Sequence, residues 1–373
     1  MGKATFKKPP FTLDRSRRGG LVAQLSDALR RAIETGYYRP GDVLPPVRDL
    51  AELLGVSKGM AERAIAVIRE EGRISPRPHV GSVVCAHDRP LWKGHVLSVV
   101  SPGLGNPFDN TAHAALRDTL TAAGYLVTSA TVPESRPAHF DDFALLDTMM
   151  RQQVDLVVQL HDMPNVARWL SKRGIPFARL TADPSPLLRN CVGAVLRRND
   201  LAHPDFAAHC REAGIKQAMQ VRVWHGIDIS GALGEAGIPV ATWRVPRRPD
   251  GSVHTAMTLS NWGMEAFTRR LAEKGRSWLP DLLFFDDDYL ATGALMALAN
   301  GGVRMPEDVR VASWANREYG PVSAKPLARM EMDNMAAGAT LAKCVLEYLS
   351  TGKFPQGVVV GPKYFRGETI TPA

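Results

Sequence analysis

From His95 to Trp314, short apolar runs alternate with amphipathic segments, and that rhythm restricts the possible fold more than any other feature of the chain. Runs at His95–Val100, Tyr125–Thr131, Asp155–Leu160 and Pro176–Leu180 read as buried strands, separated by helical segments at Ala112–Ala123, Phe140–Gln153 and Asn165–Arg173. A second series places strands at Gln217–Trp224, Pro239–Arg244, Asp281–Phe285 and Val309–Trp314. Its helices fall at Leu201–Ala213, Ile229–Gly237, Asn261–Gly275 and Tyr289–Gly301. A strand without a polar face must be covered on both sides, and parallel strands need crossover helices. Two series therefore predict an α/β body of two lobes with a cleft between them. The lobes span about 95–195 and 199–312, with crossings back after 313, in one domain covering 95–373.

The chain before this body follows another pattern. Leu21, Leu25, Ala28, Leu29, Ala32 and Ile33 share one helical face, and Gly36 ends it. Pro45-Pro46 opens a second helix with Val47, Leu50, Ala51 and Leu54 inward, stopped at Gly55. Ser57 caps a third, with Met60, Ala61, Ala64, Ile65, Val67 and Ile68 apolar, ending before Gly72. Two helices joined by Gly55-Val56-Ser57 make a helix-turn-helix. The turn signal Pro76-Arg77-Pro78-His79-Val80-Gly81 adds a short hairpin, so residues 21–85 predict an α+β winged helix. Residues 1–20 read as a loose basic arm and 86–94 as a linker.

Charge gives this head a task. Net charge is +8 over the whole chain, yet residues 1–92 hold 16 Lys/Arg against 10 Asp/Glu, while the remainder holds 30 against 28. The excess sits on the head, as a polyanion-binding module requires. A recognition helix needs one apolar face on its scaffold and short polar or basic residues on its first exposed turns. Ser57, Lys58, Gly59, Glu62 and Arg63 supply that second face; the plainer reading of the same pattern is a solvated amphipathic helix.

Here a resemblance enters. Gly36–Asp42, Leu44-Pro-Pro-Val-Arg-Asp-Leu-Ala51, Leu54-Gly-Val-Ser-Lys58 and Ile68-Arg-Glu-Glu-Gly72 together resemble the winged helix of the gluconate-repressor (GntR) family. The resemblance implies that Arg48 contacts backbone phosphate and that Ser57, Lys58, Met60 and Arg63 lie at the groove. It also implies a wing tip, around Arg77, His79 and Gly81, at the minor groove. The family's usual Gly-x-Gly-Thr stands here as His79-Val80-Gly81-Ser82, so His79 is either a minor-groove contact or an exposed turn residue.

Pro280 to Leu298, with Asp286-Asp287-Asp288 inside it, then Gly302 to Val309, resembles the effector domain of the lactose-repressor (LacI) family, as do Ser101 to Phe108 and Gly338 to Gly352. That resemblance implies a periplasmic-binding-protein-like body that clamps a small molecule at the strands' carboxyl ends, where open α/β sheets bind ligands. The effector candidates are Asn106, Phe108, Asp109, His161, Arg197, His225, Asp288, Trp314 and Asn316. Phe108 is either a sugar-stacking face or a core seal, and Asp288 either grips ligand or caps the helix that follows. Arg197-Arg198, standing where the family carries Asp-Asn, favour an effector with negative charge, such as a sugar acid or phosphate.

Other classes fit less well. Three adjacent aspartates invite a metal, but successive strand residues point in alternate directions, so neither metal nor cofactor is expected. An enzyme using Asp286–Asp288 or His225 lacks a nucleophile elbow, a phosphate-binding loop or a zinc-protease motif. A solute-binding protein of the same two-lobed fold leaves residues 21–84 unexplained. No apolar run approaches membrane-span length, and Cys85, Cys191, Cys210 and Cys344 lie far apart, which suits reduced thiols in the cytoplasm. The expectation is a cytoplasmic, homodimeric transcriptional regulator that binds a two-fold double-stranded DNA operator. It acts as a repressor of a carbohydrate operon, controlled by a sugar-like effector.

Overall fold

The computed structural model describes residues 6–14, 20–78, 80–86, 92–100, 107–132, 143–150, 154–185, 187–223, 227–245 and 256–371, without the side chains of 107–110 and 256–257. Packing divides the chain into two compact units. One gathers Met1–Ser98 with Leu120–Ala130 and Phe140–Val157, the other Val99–Thr119, Thr131–His139 and Val158–Ala373.

The N-terminal elements are α1 (Leu21–Glu34), α2 (Val47–Leu54), α3 (Lys58–Glu70), β1 (Ile74–Arg77) and β2 (Gly81–Val84). Their core is one cluster in which Leu25, Leu29, Tyr38, Leu44, Leu50, Ala61, Ile65 and Ile68 are buried. The turn between α2 and α3 is tight because Gly55 takes φ 64°, which lets Val56 N–H close back on Ala51 O at 3.0 Å. Ser57 then caps α3, accepting from Met60 N–H at 3.3 Å. β1 and β2 pair antiparallel with Ile74 opposite Val84 and Arg77 opposite Gly81, and Val43 adds an isolated bridge to Val83.

Residues 6–14 correct the expectation of a loose arm. Phe11 is 8% exposed within the head's core, Lys7 pairs with Asp42 at 2.6 Å, and Asp14 and Gln24 exchange hydrogen bonds. One aromatic residue in a basic stretch is enough to fasten it.

Two six-stranded sheets form the body. The first contains β3 (His95–Val100), β4 (Leu126–Thr131), β5 (Leu156–Gln159), β6 (Phe177–Thr181), β7 (Cys191–Arg197) and β13 (Val359–Val360), in the order β4-β3-β5-β6-β7-β13. The second contains β8 (Ala218–Arg222), β9 (Val240–Arg244), β10 (Leu282–Phe285), β11 (Arg310–Asn316), β12 (Ala328–Met332) and β14 (Lys363–Phe365), in the order β9-β8-β10-β11-β12-β14. Each order reverses direction once, between β3 and β5 and between β8 and β10, which is the doubly wound arrangement. The intervening helices are α4 (Pro107–Ala122), α5 (Ala144–Met150), α6 (Pro164–Lys172), α7 (His203–Glu212), α8 (Ser230–Glu235), α9 (Ala256–Lys274), α10 (Asp288–Asn300) and α11 (Asn334–Thr351).

The second sheet has a core on each face. On one, Phe206 and Cys210 of α7 and Leu233 of α8 meet Leu282, Phe284, Ala312 and Met330; on the other, Phe267 of α9 and Leu290, Ala294 and Leu298 of α10 meet Leu283, Phe285 and Val311. α9 and α10 touch backbone to backbone. A Cβ on Gly293 would stand 1.7 Å from Ser260 O, and one on Gly263 would stand 2.3 Å from Leu290 O. Gly338 brings α11 equally close to α4, where a Cβ would lie 2.1 Å from Ala112 O.

Candidate nucleic-acid interface and small-molecule site

α3 buries Ala61, Ala64, Ile65 and Ile68 and leaves Ser57, Lys58, Gly59, Glu62 and Arg63 exposed, with Met60 half-buried between the faces. Lys58, 70% exposed, reaches Glu62 at 3.4 Å, a surface pair weak enough for a phosphate to displace. Arg63 Nε donates to Gly59 O at 3.2 Å, which steadies the side chain along the helix without neutralising it. Arg48 is exposed in the first turn of α2, Arg77 at the end of β1, and Gly81 takes φ 116° where the hairpin turns back. His79 lies outside the described residues.

Other charges of the head pair with one another. Arg30 grips Glu71 at 2.5 and 2.9 Å and Asp27 at 2.5 Å, while Arg73 pairs with Glu34 at 2.5 Å and Glu71 at 2.9 Å. The Arg30 guanidinium holds the Glu71 carboxyl below its usual range. This network ties α1 to the end of α3, away from the exposed Lys58 and Arg63 at its start.

In the second sheet the three adjacent aspartates point three ways. Asp286 accepts from Val223 N–H at 3.0 Å, and Asp287 caps α10 by accepting from Leu290 N–H at 2.8 Å. Asp288 is 1% exposed and accepts from the Asn316 backbone and side-chain N–H groups at 2.9 and 3.0 Å. Burial, then the neighbouring Asp287 charge, pushes the Asp288 carboxyl up to about 7. Thus Asp287 does the capping, Asp288 and Asn316 are brought together, and Asn334 extends the chain by donating to Asn316 Oδ1 at 2.9 Å. Asn334 was not expected from sequence; it follows the strand β12, whose own signal is faint.

The other candidates are dispersed. Trp314 packs against the cluster holding Phe206, Phe284 and Met330, so packing alone accounts for its place. His161 is half-buried in the turn after β5, and Arg197 is half-buried at the end of β7, opposite Val360 of β13. Arg198 is exposed and forks onto Asp200 at 2.5 and 2.7 Å, which removes it as a free anion receptor. Asn106 and His225 lie outside the described residues, and Phe108 and Asp109 fall in the first turn of α4, where side chains are not described. Next to His161, Asp162 accepts from Thr181 Oγ and from Ala182 N–H at 3.1 Å, beside the buried Arg179. Among the described residues, no grouping of His, Cys, Asp and Glu could hold a metal ion, and no helix is long and apolar enough to cross a membrane.

Residues 21–84 match the family described as bacterial regulatory proteins, gntR family, and residues 199–370 match the periplasmic binding protein-like domain. A gntR-family stretch at 21–84 is thus followed by a periplasmic-binding-protein-like one at 199–370. Over 84 residues it is 36% identical to the uncharacterized HTH-type transcriptional regulator Rv0494 of Mycobacterium tuberculosis, covering 22% of this chain and 32% of that one. It therefore spans about a third of that curated relative's length. Its fold is like that of a LacI family transcriptional regulator from Arthrobacter sp. FB24 solved in complex with lactose. That match has a TM-score of 0.57 at 17% identity, covering 74% of this chain and 99% of the other. A dimeric Lac repressor with a C-terminal deletion matches with a TM-score of 0.59 at 16% identity, over 75% of this chain and 100% of the other. At these identities the likeness is one of architecture. The gntR-family head thus contains Arg48, Ser57, Lys58, Met60, Arg63, Arg77 and Gly81 on the described surface, and the periplasmic-binding-protein-like body contains the Asp288–Asn316–Asn334 chain.

Proposed function

We propose that the protein is a DNA-binding transcriptional regulator whose hold on an operator is set by a small molecule. The single observation that carries this reading is the exposed face of α3, with Ser57, Lys58 and Arg63 on it and Arg48 exposed on α2, built on a packed helix-turn-helix. Arg48 and Arg77 serve as phosphate contacts, and Ser57, Lys58, Met60 and Arg63 face base edges. His79 and Gly81 are assigned to the minor groove. One such head buries too little surface for tight specific binding, so two heads on a homodimer read a two-fold operator.

The finer reading is a cytoplasmic repressor of a carbohydrate-utilisation operon that answers to a sugar or sugar derivative. Asp288 and Asn316 hold it, with His161 and Arg197 and with Asn106, Phe108, Asp109 and His225 as further contacts. The lactose bound by the Arthrobacter regulator of like fold supports the ligand class. The effector changes DNA affinity only insofar as it binds the released and DNA-bound states unequally.

A gel-shift assay on the gene's own upstream DNA, repeated across salt concentrations and with candidate sugars, tests this. Binding is expected, weakening steeply with salt because releasing counterions into a more concentrated solution gains less free energy. No binding to that DNA even at low salt refutes the reading.

A further inference from the structure

Among the described residues Arg179 alone of the arginines is buried, at 6% exposure, and its ion pairs are poor. Nη2 lies 3.1 Å from Thr181 Oγ1, 3.5 Å from Asp162 and 4.0 Å from Asp183. Nε is fully buried with no partner among the described residues. Exposed arginines do better: Arg198 forks onto Asp200 at 2.5 and 2.7 Å, and Arg304 onto Asp308 at 2.7 and 3.2 Å. The carboxylates near Arg179 are already anchored elsewhere, Asp162 by the Thr181 hydroxyl and Ala182 N–H, Asp183 by Ser185 N–H at 2.9 Å.

A buried charge with long, shared partners is a poor device for stability, because desolvation is paid without a matching fork. β6 is otherwise Phe177-Ala178 and Leu180-Thr181, all buried, where an apolar residue would pack at position 179 without that loss. Asp162 and Asp183, 38% and 47% exposed, follow the carboxyl ends of β5 and β6, the edge at which such sheets take ligands. A cation with unspent donors thus sits beneath two solvent-reaching acceptors.

We propose that Arg179, Asp162 and Asp183 read a vicinal diol of the small molecule. One hydroxyl takes the place of the long contact to Asp162, accepting from the guanidinium and donating to that carboxylate; its neighbour donates to Asp183. This rests on the body being the sensor, and it narrows the effector. Two carboxylates beside one guanidinium leave the cluster negative, which selects a neutral polyol over the sugar acid or phosphate that Arg197-Arg198 suggested.

The test uses thermal-shift titrations of the full chain with matched neutral sugars, sugar acids and sugar phosphates. The proteins are wild type, Arg179→Met, Arg179→Lys and Asp162→Asn. A neutral sugar is expected to stabilise wild type, with affinity falling about tenfold or more in Arg179→Met and in Asp162→Asn and less in Arg179→Lys. Without ligand, Arg179→Met is expected to melt at or above the wild-type temperature, since the arginine is kept for recognition. An unliganded Arg179→Met that melts well below wild type makes the residue structural and overturns the proposal. Equal sugar affinity in wild type and Arg179→Met overturns it while leaving the sensor reading intact. Stabilisation by acids or phosphates alone, or by no sugar, also overturns it, and a gel shift on the same samples decides separately whether DNA binding stands.

Discussion

Asp288 shows what a single buried carboxyl implies. Its folded value is about 7 against an ordinary 3.8, so the fold favours the protonated form. The stability this group contributes is complete below its unfolded value and is lost as pH rises through about 7. The wild-type denaturation midpoint is therefore expected to decline between about pH 4 and 7, and Asp288→Asn, which cannot ionise, to flatten that decline. An equally steep decline in the variant assigns the slope to other groups. Phe11 carries a second expectation: truncating it to alanine opens the head's core and costs about 3 kcal/mol, read as an earlier unfolding transition of the head. Both residues show where a sequence stops informing. Asp288 stood out inside its aspartate run, but Asn334, which holds Asp288's partner Asn316, lies on another element and has no local mark. Phe11 is hidden among lysines and prolines, and Arg179 within an apolar run, where a charge interrupting a buried strand was itself the signal.

Elements whose patterns repeat were easier to read. The strands β3 to β6 and β8 to β11 fall within a few residues of the apolar runs, most simply for β3, β5, β6 and β10, whose residues are buried on both faces and leave no polar face to confuse their limits. β7 and β12 escaped for the opposite reason. Cys191–Arg197 is mostly half-buried, and Ala328–Met332 alternates buried and half-buried positions, so neither forms a continuous run. β13 and β14 have 2 and 3 residues, too few for any period. Glycine, in contrast, acquires its meaning only in three dimensions. Gly293 lies inside a helix, where glycine is intrinsically unfavourable, yet α9 leaves no room for a Cβ. Gly293→Ala is expected to force α9 and α10 apart and cost about 2–3 kcal/mol despite its better helix propensity, measured by urea denaturation. A neutral or stabilising effect means the two helices slide without penalty.

At the scale of the whole molecule, head and body must share one free-energy account if DNA and effector are to influence each other. The head's contribution can be isolated through salt. Arg48→Ala and Lys58→Ala each remove a cation from the surface proposed to face DNA, so each is expected to weaken operator binding and reduce the slope of log affinity against log salt by about one. Neither should change the effector's thermal shift in the absence of DNA; a loss of both functions together means the two tasks are not divided between head and body. Coupling between them is constrained more tightly. If effector lowers operator affinity by some factor, saturating operator must lower effector affinity by the same factor, because both describe one thermodynamic cycle. Measuring both, by titrating operator at saturating effector and effector at saturating operator, should therefore return equal ratios, typically about 5- to 150-fold for such regulators. Asp288→Ala is expected to leave operator affinity near the wild-type value without effector and bring both ratios toward one. If the operator ratio persists while the effector ratio vanishes, the ligand being measured is not the one bound where Asp288 stands.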